Sequence, residues 1–127
     1  MSLDKEKKDR SYQFGRLLAV MEKVERDTYT DEGREPNAIR MQSVFCDRPL
    51  YTAKIINDRL NPYFERLRPG SRAYYKKLIG EITEQLSNYD DAQLNRPLGD
   101  TYLMGYYLQR NELYTSKSNE TKEEIEE

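Results

Sequence analysis

Residues 99–114 read GDTYLMGYYLQRNELY, a helix-like segment with a glycine at its centre and four tyrosines around it. A glycine inside a helix costs about 1 kcal/mol relative to alanine. The usual offset is close approach of a second backbone, which only a residue without Cβ permits. Gly105 therefore marks a tight helix crossing, with Tyr102, Tyr106, Tyr107 and Tyr114 filling the wider gaps. Gly15 and Gly80 sit at similar mid-helix positions and carry the same expectation. Asp100, at the start of the segment, is placed to cap the helix, its carboxylate favoured at the positive end of the helix dipole.

Outward from this segment, helical spacing recurs and alternating strand patterns are missing. In SYQFGRLLAVMEKVERD (11–27), Phe14, Leu17, Leu18, Met21 and Val24 form one stripe with charges opposite, and Ser11 is placed to cap it. A loop with Gly33 and Pro36 leads to a short helix, NAIRMQSVFC (37–46), expected to bury Met41, Val44 and Phe45. PLYTAKIINDRL (49–60) presents Leu50, Ala53, Ile56 and Leu60, and Asn61-Pro62 is expected to end or kink it, after which Tyr63, Phe64 and Leu67 continue a turn or two. Pro69-Gly70 reads as a turn with Ser71 as cap, followed by SRAYYKKLIGEITEQLSNY (71–89), a regular amphipathic helix. NYDDAQLNRPLG (88–99) reads as a loop or partial turn. The tail TSKSNETKEEIEE (115–127) has one apolar residue, Ile125, and buries too little to offset its ordering entropy. The expectation is an all-α bundle of four to five helices over residues 1–114, then a disordered acidic tail over 115–127.

The 127 residues suffice for one domain, but only 36% are apolar and 35% are charged. Eleven tyrosines supply much of the bulk, and a lean tyrosine-rich core suits a protein that works against neighbours. Cys46 is the only cysteine, which excludes an internal disulfide and a thiolate metal cluster and reads as a buried free thiol. There is no histidine, so the commonest general base and transition-metal ligand are missing. No apolar run approaches the roughly 20 residues that span a bilayer, and MSLDKEKKDR is not a secretory signal. A cytoplasmic location without membrane contact follows as an expectation.

The net charge of -2 hides an asymmetry. Residues 36–80 hold nine basic side chains (Arg40, Arg48, Lys54, Arg59, Arg66, Arg68, Arg72, Lys76, Lys77) against Asp47, Asp58 and Glu65. Residues 81–127 hold four basic and eleven acidic side chains. Rows of Arg and Lys within two turns can track a phosphate backbone, and no base-reading motif accompanies them. The same row also reads as an ordinary solvated helix face. Glu81/Glu84 and Asp90-Asp91 are the notable carboxylate pairs, readable as a solvated face and as turn chemistry. No catalytic group, cofactor loop or metal set stands out.

Two segments carry a family resemblance. YQFGRLLAVMEK (12–23) resembles the YxxGRLxAVxE element of a CRISPR family, and LGDTYLMGYYLQR (98–110) resembles its closing GYYxQR helix. The family is the large subunit of the type I-C Cascade complex, specifically its C-terminal helical domain, also known as a free-standing small subunit made from an internal start. The resemblance covers residues 11–114. Leu108 departs from it, where many members have histidine.

The resemblance implies a helical bundle without catalysis or cofactor that packs along the backbone subunits of an RNA-guided complex. Its partners would be the Cascade backbone and large subunits, another copy of itself, and the guide RNA–target DNA complex, with sequence reading left to base pairing. It points to the nine basic residues of the middle segment as sequence-tolerant DNA contacts. Gly15, Arg16, Gly105, Tyr106, Tyr107 and Arg110 fall within the motifs as structural or interface residues, with Arg110 expected to pair with a carboxylate. The alternatives are a helical protein–protein adaptor without nucleic-acid contact, and a metal-dependent nuclease using Glu81/Glu84.

Overall fold

The helix α1 (Arg10–Thr28) is buried on every side: each residue from Ser11 to Glu25 is inaccessible, polar ones included. The structure, a computed structural model, describes residues 2–28 and 35–126, with side chains described to residue 115. Around α1 run α2 (Asn37–Arg40), α3 (Gln42–Asp47), α4 (Pro49–Arg66), α5 (Pro69–Leu86), α6 (Asp91–Leu94) and α7 (Thr101–Glu126). Among the described residues there is no strand, and the all-α expectation holds. No described helix is long and apolar enough to cross a membrane. Of the tail expected over 115–127, residues up to Glu126 continue α7, while the side chains from 116 onward lie outside the described residues, as does Gly33.

The most extensive packing is α1 against α7, the two ends of the chain. Gly15 and Gly105 make it possible. A Cβ on Gly15 would overlap the Tyr102 carbonyl oxygen and stand 2.9 Å from the Tyr106 nitrogen. A Cβ on Gly105 would overlap the Tyr12 carbonyl oxygen and stand 3.1 Å from its Cα. Tyr12 and Tyr106 flank the crossing and are buried. Burying each large side chain contributes about 1.5–3 kcal/mol, more than the penalty of each glycine. Gly80 does not follow: nothing lies within 4 Å of a Cβ placed there. Its position on the outside of α5 leaves no neighbour to approach.

The charged face expected on α1 is absent, because α4 and α5 cover the sides that α7 leaves. The helix instead pairs its polar groups internally. Arg16, wholly buried, donates to Gln109 Oε1 at 2.8 Å, Gln13 Oε1 at 2.8 Å and the Lys5 carbonyl at 3.1 Å. Glu22 accepts from the Tyr106 hydroxyl and from Arg26 Nε at 2.9 Å. Lys23 pairs with Asp27 at 2.8 Å and lies 4.1 Å from the Tyr114 ring centroid.

Several boundaries differ from expectation. Asp9, not Ser11, caps α1, accepting from the Tyr12 amide at 3.2 Å; Ser11 Oγ accepts from the Gly99 amide at 2.8 Å and fixes the approach to α7. The expected short helix divides at Met41 into α2 and α3, with Phe45 buried, Met41 half-buried and Val44 exposed. Cys46 is half-buried rather than buried. Pro62 does not end α4, which runs on to Arg66 because Leu60 and Phe64 stay anchored in the core while the ring faces solvent. Pro69 occupies the first turn of α5, so Pro69-Gly70 opens the helix and Ser71 lies inside it. Asp90 and Gln93 form a capping box that turns part of the expected loop into α6.

Substituting Gly105→Ala should lower unfolding free energy in urea by more than about 2 kcal/mol, since backbone must move. Gly80→Ala should be neutral or stabilising by up to about 1 kcal/mol. Equal effects of the two substitutions would contradict the crossing.

Candidate nucleic-acid interface

The nine basic residues of the middle segment divide by location. Arg48 precedes α4 and Arg66 ends it, which separates them by about 27 Å along the helix. Around the α4–α5 corner lie Arg66, Arg68, Arg72, Lys76 and Lys77. Arg66, Arg68, Lys76 and Lys77 are exposed. Lys76 stands 5.4 Å from the Phe64 ring centroid and Arg66 6.0 Å from that of Tyr63, so aromatic rings hold both cations near the corner.

Arg72 is turned inward. Its Nε donates to the Phe64 carbonyl at 2.8 Å, and an outer nitrogen donates to the Glu65 and Leu67 carbonyls at 3.1 and 3.2 Å. These carbonyls lie at the end of α4; that of Phe64 also accepts from the Leu67 amide at 3.2 Å, and Arg72 adds a second donor to it. Arg72 therefore fastens α4 to α5 and shapes the corner that its neighbours decorate. Arg10 does the same elsewhere, donating at 2.8 Å to the carbonyls of Arg96 and Pro97 beyond α6.

Arg40 and Arg59 meet at a second location. Glu25, almost fully buried, accepts from the Asn37 backbone amide at 2.7 Å and from its side-chain nitrogen at 3.2 Å. That pairing turns Asn37 Oδ1 outward, where it accepts from Arg40 at 2.7 Å and Arg59 at 3.2 Å. Two guanidinium nitrogens on one oxygen stand within about 6 Å of each other, and their repulsion costs on the order of 1–3 kcal/mol. They border an open pocket of about 370 Å³ between α2 and α4, also lined by Asp58, Pro62 and Tyr63. Among the described residues, Asp58 makes no ion pair with either arginine.

Arg59 and Arg66 lie about 20° apart around α4, on one face. Lys54 lies well over 100° away on the side of Glu65, beside an apolar groove of about 310 Å³ between α4 and α5. Basic residues thus gather at the corner and at the pocket, while Arg48 and Lys54 stand apart from both.

The sequence matches the profile of a family described as CRISPR-associated protein (Cas_Csd1) over residues 1–114. The chain belongs to that family. No curated protein matches it.

In this CRISPR-associated chain the end motifs coincide with the α1–α7 pair. Gly15 and Gly105 are the crossing, and Arg16 is locked between the two helices. Burial pushes the Arg16 guanidinium down from its ordinary value, against the opposing pull of Glu112. One terminal nitrogen of Arg16 is buried without a hydrogen-bond partner. Tyr106 is buried with its hydroxyl on Glu22, and Tyr107 stacks edge-on against it at 5.1 Å while staying exposed. Arg110 stands 5.5 Å from the Tyr114 ring centroid, and among the described residues it forms no ion pair with a carboxylate. Glu81 and Glu84 are both exposed on α5.

Sequence reasoning gave no role to Glu25, Asn37 and Gln13, and met Gln109 only as part of the closing motif. For Gln13 and Glu25 the signal was available: polar residues within a helix that the apolar stripe had already marked as packed.

Two measurements test these local networks. Burial, then the hydrogen bond to Glu22, raises the Tyr106 pKa above its ordinary value of about 10. The folded chain therefore holds this proton more tightly than the unfolded chain. Its contribution is complete below about pH 10 and is lost as pH rises from there towards the folded value. Tyr106→Phe should flatten that alkaline decline and cost about 1–3 kcal/mol at neutral pH. Arg72→Ala should cost on the order of 1–3 kcal/mol in urea unfolding, whereas Lys77→Ala should change stability by less than about 0.5 kcal/mol.

Proposed function

We propose that the chain is a non-catalytic small subunit of a type I-C CRISPR RNA-guided complex, equivalent to the C-terminal helical domain of the large subunit. It packs along the backbone subunits in the cytoplasm and holds target and displaced DNA strands through the α4–α5 corner. The observation that carries this reading is the exposed cluster of Arg66, Arg68, Lys76 and Lys77 in a chain whose family is CRISPR-associated. Such a cluster binds phosphates without reading bases, which suits a complex where pairing with guide RNA reads sequence.

A second feature supports the packing half of the proposal and also the adaptor alternative. Leu103, Tyr107 and Tyr114 lie within about 40° of one another on α7 and are exposed, with Met104 alongside. An apolar, tyrosine-rich face of this kind suits protein contact.

Reversing Arg66, Lys76 and Lys77 to Glu should leave the fold intact and weaken strand-displaced DNA binding by the assembled complex. The slope of log affinity against log salt should fall by about 2. Unchanged affinity and slope, with assembly retained after nuclease treatment, would leave the adaptor reading instead.

A further inference from the structure

The pocket between α2 and α4 has more hydrogen-bonding capacity than the protein uses. A guanidinium carries five N–H donors. Protein acceptors engage one nitrogen of Arg40, and one of Arg59, which reaches Asn37 Oδ1 and Met41 Sδ at 3.6 Å. The two cations are nevertheless held together, through Asn37, by a carboxylate buried behind it. Asp58, beside Arg59 on α4, also lines the pocket and offers acceptors, and Pro62 and Tyr63 offer an apolar wall.

A ligand that satisfies this lining needs oxygen acceptors for the arginines, hydrogen-bond donors for Asp58 and a flat apolar body. A simple anion meets only the first requirement, and Asp58 repels it. A nucleotide meets all three, and the volume of about 370 Å³ lies in the small-ligand range. We propose that this pocket binds one nucleotide of a single strand, its phosphate on Arg40 and Arg59, its base against Pro62 and Tyr63, and its donors towards Asp58. This rests on the nucleic-acid reading above, but its phosphate contacts, Arg40 and Arg59, are separate from the corner, with which the pocket shares only Tyr63. Arg59 and Arg66 share a face of α4 about 10 Å apart along its axis, so one strand can pass from corner to pocket. Asn37 and Glu25 are positioning residues that hold the two guanidiniums in place.

The 127-residue chain, isotopically labelled, is titrated at low salt with dTMP, thymidine and inorganic phosphate, and amide and guanidinium NMR signals are followed. The proposal expects saturable shifts with dTMP confined to Asn37, Arg40, Arg59 and Tyr63. Thymidine and inorganic phosphate should each bind about tenfold or more weakly. Arg40→Ala and Arg59→Ala should each weaken dTMP by about tenfold with the spectrum otherwise unchanged. Reversing Lys76 and Lys77 alone should leave saturable dTMP binding at the pocket in place, so failure of the corner and failure of the pocket are separable. Inorganic phosphate binding as tightly as dTMP would overturn the nucleotide assignment. Shifts spread over the whole basic surface, or indifferent to Arg40→Ala and Arg59→Ala, would overturn the pocket itself.

Discussion

Everything in this domain hangs on two helices that touch at their main chains. Where α1 and α7 cross, Gly15 meets the backbone of Tyr102 and Gly105 meets that of Tyr12, leaving no room for a side chain on either glycine. That proximity lets α7 close one whole side of α1, and α4 and α5 close the others. A helix with no wet face must satisfy each polar group from inside, because a buried charge without partners costs several kcal/mol. Arg16 finds Gln109 and Gln13, Glu22 finds Tyr106, and Glu25 finds Asn37. The last of these reaches the surface, since the Asn37 oxygen is what gathers Arg40 and Arg59. A packing constraint at the centre thus sets the position of charge on the outside.

The same economy governs the other arginines. Charge alone does not say which of them face solvent. Arg72 and Arg10 serve as clamps on carbonyls at helix ends and loops, while Arg66 and Lys76 lean on aromatic rings and present their charge outward. The corner keeps its shape because one cation is turned in, and its neighbours are arrayed around it for that reason.

Much of this was legible before any coordinates. The four long helices follow from apolar periodicity, and the backbone contact follows from glycines placed where a helix disfavours them. Gly80 shows the limit of that inference, because a glycine exposed on α5 looks the same in sequence as one pressed against a neighbour. Ser11 and Ser71 failed as boundary markers, because Ser11 bonds Gly99 and Pro69 opens α5 ahead of Ser71, and Pro62 does not end α4, since Leu60 and Phe64 hold the helix past it. On the interface, the excess of positive charge was plain in composition. Its division into corner, pocket, clamp and outliers was not, because it depends on helix phase and on Glu25 and Asn37, which no charge count selects.

The crossing joins residues ninety positions apart, and that has a consequence for how the chain is made. Closing so long a loop carries an entropic charge that grows slowly with length, but contacts of this span form late and slowly. While α7 is still inside the ribosome, α1 can gather α4 and α5 but has no Gln109 for Arg16 and no Tyr106 for Glu22. The nascent domain therefore waits, with its central helix half clothed, until its last helix emerges to complete it.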